Sequence, residues 1–411
     1  MERMTEKVPD SDEQALQHFI SNSPWDEQAV IDQVACDADK HLGGNEDSAL
    51  YLDETGFLKK GKKSVGVSRQ WIGQLGKVDN CQIGVFAALG CKRNATLINF
   101  KLYLPEVWTN DEERCKDAHV PDEMMDFKDK HDLALEMITH ARTQSIRFNW
   151  TGFDGFYGKD PAFLRSIDQM GEVFVGDVHK DQRIYLEDPD PFVPPRPKSN
   201  KGKKPTKLKA QTKAIRVDKW AKEQQEGDWQ RIVLRDTTKG KLIVEVLHQR
   251  VWLWDGKEEK AQHWHLVVRR EIASPEKLKY SLSNANEDIS TKRLAYMQAQ
   301  RYWVERSFQN GKVECGMGDY QVRGWSGWHH HMTMVMLAML FLLEERIQSK
   351  DKVPLLSCYD LTTMLKHYLP RRDITEKEVI RQLIIRHRKR QASIDSAYRI
   401  QKDAGLLEGV T

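Results

Sequence analysis

No apolar run in the 411-residue chain is long enough to cross a bilayer. The longest, Met332 to Leu343 (MTMVMLAMLFLL), falls well short of the roughly 20 residues a spanning helix needs. It reads as a buried core helix, and no membrane partner is expected. The first residues (MERMTEKVPDSDEQ) are polar and acidic with no apolar signal region, so nothing there directs export and a cytoplasmic location is the expectation. The six cysteines (Cys36, Cys81, Cys91, Cys115, Cys315 and Cys358) include no CxxC pair. That spacing argues against a disulfide framework or a zinc ribbon and leaves reduced thiols as the default. Internal repeats are absent as well. Net charge is nearly so, with 64 Lys and Arg against 61 Asp and Glu. What the chain does have is 39% hydrophobic residues, ample for a packed core, which excludes collagen-like and intrinsically disordered chains.

A net charge of +3 would seem to exclude a nucleic-acid partner, but the charges are segregated. Residues 1–56 hold 3 basic and 14 acidic side chains, a local charge of −11, while the remainder holds 61 basic and 47 acidic, or +14. Arg196 to Arg216 carries nine Lys and Arg, Lys203 and Lys204 among them, and no acid. Lys366 to Lys402 carries 11 basic residues against 4 acidic, including Arg386, Arg388, Lys389 and Arg390. Concentrated cations suit a phosphate backbone, because each contact releases a condensed counterion. A solvated linker followed by a charged surface helix is an equal reading of either cluster taken alone, and the two clusters in one chain favour nucleic acid.

Residues 11–42 have helical patterning with a restart at Ser23-Pro24. Ala49 to Leu52 is a short apolar run ending in Asp53-Glu54 and the Gly/Lys-rich GFLKKGKKSVG, the pattern of a buried strand whose end carries carboxylates. Strands are predicted at 81–89, 96–104, 145–150 and 173–175, and helices at 130–142 and 161–170. Six prolines and the basic run make 188–218 an extended linker. Short strands at 231–234, 241–247, 251–254 and 264–269 then predict a small antiparallel β insertion. From Thr291 onward the chain is mostly helical. The whole describes a mixed α/β sheet.

Three acids stand out by position: Asp53 after the first strand, Asp154 after the fourth, and Glu305 on the helix that follows the insertion. Hard divalent cations prefer carboxylate oxygens, and two such ions about 4 Å apart can clamp both oxygens of a phosphodiester displacement. Asp177, after the strand at 173–175, is a rival for the second position on the same grounds, and from spacing alone an ordinary turn or surface role is the plainer reading of each acid. In QAQRYWVERSFQNGK, Arg301, Glu305 and Lys312 fall within a stripe about 40° wide at about 100° per residue, provided the helix continues through Asn310-Gly311. His329-His330-His331 cannot converge on one ion from a helix, so packing and hydrogen bonding are expected of them.

The segments LYLDETGFLKKGKKSVGVSRQW and GKVDNCQIGVF closely resemble the first catalytic strand region of bacterial insertion-sequence DDE transposases, in the subgroup with a β insertion between the second and third acids. FNWTGFDGFYG resembles that family's second-aspartate motif, which assigns the role to Asp154 and not Asp177. RYWVERSFQNGKVECGMGDYQVRGWSGWHHHMTM resembles the third region, whose signature is Tyr-x2-Arg-x3-Glu-x6-Lys. Arg301, Glu305 and Lys312 keep that spacing, whereas Gln298 stands where the tyrosine is expected and Tyr296 lies on another face. The resemblance spans roughly residues 13–345. It implies an RNase H-like α/β fold with an antiparallel β insertion domain and helical N- and C-terminal segments. The corresponding division is an acidic helical segment (1–47), a catalytic core in two parts (48–187 and 286–345), the basic linker with the insertion (188–285), and a basic helical region (346–411).

The activity so implied is a transposase with two Mg²⁺ or Mn²⁺ ions held by Asp53, Asp154 and Glu305. It would cut at the terminal inverted repeats of the element and join the freed 3′-OH to target DNA, through a hairpin intermediate and as a homodimer on double-stranded DNA. Arg301 and Lys312 would hold phosphates, and Trp252, Trp254 or Trp264 would receive a flipped base. Relatives carry repeat-recognising helices before the first aspartate. Here only 52 acid-rich residues precede it, so recognition is expected from the basic linker and C-terminal helices, or part of an N-terminal region is missing. A non-catalytic DNA-binding regulator and a nuclease without strand transfer are the other readings.

Overall fold

The structure is a computed structural model that describes residues 5–73, 75–195, 205–237 and 240–405. Carboxylate caps open its first helices. Asp12 accepts the Ala15 N–H at the start of α1 (Glu13–Ser21), and Asp26 accepts those of Gln28 and Ala29 at the start of α2 (Glu27–Leu42). Each satisfies N–H groups that the first turn leaves unpaired. Ser23-Pro24 lies in the break between them, as its sequence predicts. Two compact units are present, residues 24–361 and residues 1–23 with 362–411.

In the larger unit, β1 (Ser48–Leu58), β2 (Ser68–Ile72), β3 (Lys77–Cys91) and β4 (Asn94–Leu102) are antiparallel, with β1, β2 and β4 all pairing with β3. β1 opens with five consecutive buried residues, Ser48 to Leu52, the signature of a strand covered on both faces. Short helices α3 (Glu106–Thr109) and α4 (Glu112–Asp117) lead to α5 (Lys130–Thr143), whose first turn is closed by a reciprocal Asp129–Asp132 capping box. β5 (Trp150–Phe153) then pairs parallel to β1. The strand expected from Ser145 begins only at Trp150, because Ser145 and Ile146 are spent closing α5. Ser145 adopts a φ of 59°, and the Ile146 N–H returns to the Ala141 carbonyl. After α6 (Gly155–Gly158) and α7 (Pro161–Gln169), β6 (Phe174–Val178) pairs parallel to β5.

β7 (Arg183–Ile184) and β8 (Ile215–Arg216) form a two-stranded sheet, followed by α8 (Val217–Glu223). β9 (Gln230–Thr237), β10 (Gly240–Leu253), β11 (Gln262–Glu271) and β12 (Ser274–Ser283) are antiparallel, the first three falling on the predicted runs, and they are not detached from the rest. β12 pairs with β6, so the insertion strands continue one ten-stranded sheet in the order β2-β3-β1-β5-β6-β12-β11-β10-β9, with β4 on β3. The two runs predicted at 241–247 and 251–254 are one strand, and β12 itself was not predicted.

Helices α9 (Thr291–Gln300), α10 (Tyr302–Glu314) and α11 (Trp325–Gln348) complete the unit. α10 packs through Phe308 on Phe86, directly across from Asp53 on β3. It therefore covers the β1 face that carries Asp53, Thr55 and Phe57, while α5 reaches Glu54 on the opposite face. α11 holds the predicted apolar run, with Met332, Val335, Met336, Met339, Leu340, Leu342 and Leu343 buried. Among the described residues no helix is long and apolar enough to cross a membrane.

In the smaller unit, α12 (Cys358–Tyr368) leads in from the larger one and Thr375 caps α13 (Glu376–Asp403), none of whose 28 residues is buried. Here the two segregated charge clusters meet: Arg386 pairs with Glu6 at 2.7 Å and Lys389 with Glu13.

Candidate active site

Asp53 is not at the end of its strand. β1 continues five residues further along β3, because Thr55 and Phe57 keep a buried face towards Gly84–Phe86. What ends at this level is the pairing with β5, whose last partners are Leu52 and Phe153. Asp53 and Asp154 are the next residue on each of these two parallel strands, so the backbone sets them side by side. Asp154 turns out of the sheet as the N-cap of α6, its Oδ1 accepting the Phe156 N–H at 2.9 Å. Gly158 makes this short helix possible: a Cβ there would lie 1.9 Å from the Asp177 carbonyl oxygen on β6.

Burial and the neighbouring Asp154 charge push the Asp53 carboxyl up to about 7, against the opposing pull of Arg301 and the Glu54 N–H. Arg301 is the hub of the site. Its Nη1 lies 3.4 Å from Asp53 Oδ2, its Nε 3.3 Å from Asp177 Oδ2, and its Nη2 2.8 Å from Glu305 Oε1. Burial disfavours the guanidinium charge, but Asp177, Asp53 and Glu305 outweigh it and hold the group firmly protonated. Arg301 occupies the junction of α9 and α10 rather than the middle of one helix, yet α10 runs on through Asn310-Gly311 and keeps Lys312 on the same side. Lys312 Nζ donates to Thr55 Oγ1 at 2.5 Å, two residues along β1 from Asp53, and burial pushes its ammonium down to about 8.

Asp177, the rival acid, lies within β6 and faces Arg301. Its Oδ1 accepts a 2.5 Å hydrogen bond from Ser281 Oγ. Gln298, at the position where the signature has a tyrosine, is buried, with its amide donating to Ser281 Oγ at 2.7 Å and its carbonyl accepting from Arg269 Nε at 2.9 Å. Tyr296 lies elsewhere, towards Asp47 and Arg293. Two further cations near β1 were not singled out from the sequence. Lys130 pairs with Glu54 at 2.6 Å, and Lys59 sits 3.3 Å above the Tyr320 ring with burial pushing it down to about 8. The Gly/Lys-rich run after β1 was the only signal for Lys59, and none distinguished Lys130.

The tryptophans have other neighbours. Trp252 stacks on His263 at 4.3 Å, Trp254 donates its indole N–H to the Glu258 carbonyl and meets Tyr185 edge-on, and Trp264 is buried against Phe174. Lys203 and Lys204 lie outside the described residues. The three histidines make separate contacts: His329 Nδ1 with the Trp325 carbonyl, His330 stacked on Trp25, and His331 Nε2 with the Gly316 carbonyl. Burial drives His329 down to about 3. Packing accounts for them. Among the described residues no three His, Cys, Asp or Glu side chains stand close enough together to hold a metal ion as placed.

The family described as DDE superfamily endonuclease matches residues 1–241, well over half of the chain. The chain belongs to the DDE superfamily endonucleases. That match takes in Asp53 and Asp154, whereas Glu305 lies beyond it. A probable transposase for insertion sequence element IS701 of Microchaete diplosiphon is 23% identical over 312 residues, covering 75% of this chain and 69% of the relative. Among solved structures, the NurA nuclease from Sulfolobus solfataricus aligns with 84% of this chain and all of its own at 8% identity. Its TM-score of 0.23 carries no argument about this endonuclease's fold.

Proposed function

We propose that this DDE endonuclease is an insertion-sequence transposase that cleaves the ends of its element and joins the 3′-OH to target DNA. The supporting observation is the placement of Asp53 and Asp154 one residue beyond the last β1–β5 pair, with Arg301 bridging Asp53 to Glu305 on α10. The sheet supports an RNase H-like core, since β4-β3-β1 are antiparallel and β5 and β6 then add in parallel. The core is proposed to comprise residues 48–187 and 286–345, flanked by helical segments at 1–47 and 346–411, with the linker and β insertion at 188–285.

The donor set fits a hard divalent cation. Asp53 and Asp154 are adjacent carboxylates, and burial together with the Asp154 charge pushes Asp53 up to about 7 despite Arg301, so a hard cation between them would relieve the repulsion. Asp53, Asp154 and Glu305 would hold two Mg²⁺ or Mn²⁺ ions, which when bound supply an activated nucleophile and neutralise charge on the phosphodiester. The side chains do the rest. Arg301 and Lys312 hold the phosphates on either side of the scissile bond, and the Phe57, Phe86 and Phe308 rings exclude water from the floor beneath them. Trp252 and Trp254, half-buried at the end of β10, are proposed to take a base flipped from a hairpin end. Terminal inverted repeats and target DNA are the proposed partners, bound by a homodimer, with Lys203, Lys204 and the basic α13 adding phosphate contacts.

The test is a labelled duplex carrying the element end, incubated with the protein and Mg²⁺, scored for nicks, hairpins and joined products. Joined products that disappear in Asp154→Ala but persist in Asp177→Ala support the reading and the assignment. Nicking without joining indicates a nuclease, and binding without cleavage a regulator.

A further inference from the structure

We infer that Asp177 is a positioning residue for Arg301, held in place by a buried polar chain from the insertion strands, and that Gln298 serves this chain rather than contacting DNA. The inference rests on the proposed role of Arg301 beside the reacting phosphate. Four links run in series: Arg269 on β11 to Gln298 on α9, Gln298 to Ser281 on β12, Ser281 to Asp177 on β6, and Asp177 to Arg301. Three lengths are 2.9, 2.7 and 2.5 Å, and the last is 3.3 Å. Arg269, Ser281 and Gln298 are all buried, so water does not compete for the Arg269–Gln298 and Gln298–Ser281 bonds.

Direction matters in this chain. The Gln298 carbonyl is taken by Arg269, which turns its amide N–H towards Ser281. Ser281 Oγ then accepts from Gln298 and has its own proton left for Asp177 Oδ1. That fixes the carboxylate with Oδ2 facing Arg301 Nε. Held by its Nε edge, the guanidinium presents its two terminal nitrogens to Asp53 and Glu305. A planar fork held at one edge can exchange what it grips at the other without losing its place. A tyrosine at position 298 would carry donor and acceptor on one hydroxyl, whereas the amide places them on two atoms, one facing Arg269 and the other Ser281.

The experiment uses the full chain as wild type, Asp177→Asn, Arg301→Ala and the double variant. One arm measures exchange of the Arg301 Nε proton by ¹⁵N NMR in metal-free protein. The other measures nicking of the labelled end duplex with Mn²⁺. Asp177→Asn is expected to speed Nε exchange at least tenfold and to slow nicking about tenfold, yet to slow it less than twofold further when Arg301 is already Ala. Ser281→Ala and Gln298→Leu shift both readouts the same way by smaller factors, and Gln298→Glu, which keeps the acceptor for Arg269 but not the donor for Ser281, behaves like Gln298→Leu. Unchanged Nε exchange in Asp177→Asn overturns the inference. So does a full additional loss in the double variant, which would put Asp177 on the metal or the DNA directly. Should the wild type fail to nick, the proposed function fails while the exchange arm still decides the positioning role.

Discussion

Arg301 and Arg386 are both arginines paired with acids, but they differ in how much water surrounds them. Arg301 is four-fifths covered and touches Asp53, Asp177 and Glu305. Arg386 is twice as exposed and pairs with Glu6. A buried charge loses its hydration and must recover the loss from fixed partners, so its geometry is tightly specified. An exposed pair exchanges protein contacts for water contacts at little net gain. Cation clusters on α13 are therefore a collective property, whereas the few charges around Arg301 act one by one.

Removing the acids is the harshest test of that contrast. Asp53→Asn or Asp154→Ala should cut end cleavage by about 10³-fold or more with binding of duplex largely retained, as read from nicking rates beside gel-shift affinities. The same Asp53→Asn change should stabilise the metal-free protein. An acid whose folded-state pKa is raised from 3.8 to about 7 loses stability as pH climbs between those values and no further above them. The melting-temperature gain of the variant should thus be nil near pH 3, grow up to about pH 7 and then level off. A gain that shrinks with rising pH would contradict the burial of Asp53.

Gly158→Ala probes the backbone beneath the site. A methyl group 1.9 Å from the Asp177 carbonyl oxygen should cost about 3 kcal/mol in urea unfolding. It should also displace Asp154 by shifting α6. Arg301→Ala should slow nicking by about 10²-fold, the scale of losing a charge-assisted contact made in the transition state. At the mild end, Arg386→Ala should change stability by less than about 1 kcal/mol, and should lower the salt dependence of duplex binding by about one counterion if α13 meets phosphate. An Arg386 effect as large as that of Arg301 would erase the distinction drawn between them.

The sequence is legible where local pattern and tertiary environment agree. The fully apolar start of β1, the periodic helices and the apolar α11 all follow from periodicity. Spacing alone also placed Arg301, Glu305 and Lys312 on one side. β12 escaped notice because SPEKLKYSLS carries its charges on the exposed half and shows only Leu278, Tyr280 and Leu282 in alternation. β10 was split because His248, Gln249 and Arg250 interrupt its apolar run, although His248 and Arg250 meet His265 across the pair. Most of all, Asp177 could be weighed only as a competing ligand. Its bonds to Ser281 and Arg301 depend on the β6–β12 pairing, which joins residues 104 apart in sequence, and no local pattern encodes such a register.

The continuity of the sheet also bears on when activity can arise during synthesis. Asp53 and Arg301 are separated by 248 residues, and β12 must dock on β6 before Asp177 can receive Ser281. Contacts of such long range form late. A nascent chain that has completed β1 to β6 already carries Asp53 and Asp154, yet it lacks Arg301, which pairs with Asp53, and the strand that brings Ser281 to Asp177. On the proposed role of Arg301, the two aspartates leave the ribosome long before a site able to cut is complete, and a chain stalled before residue 301 is expected to leave duplex DNA intact.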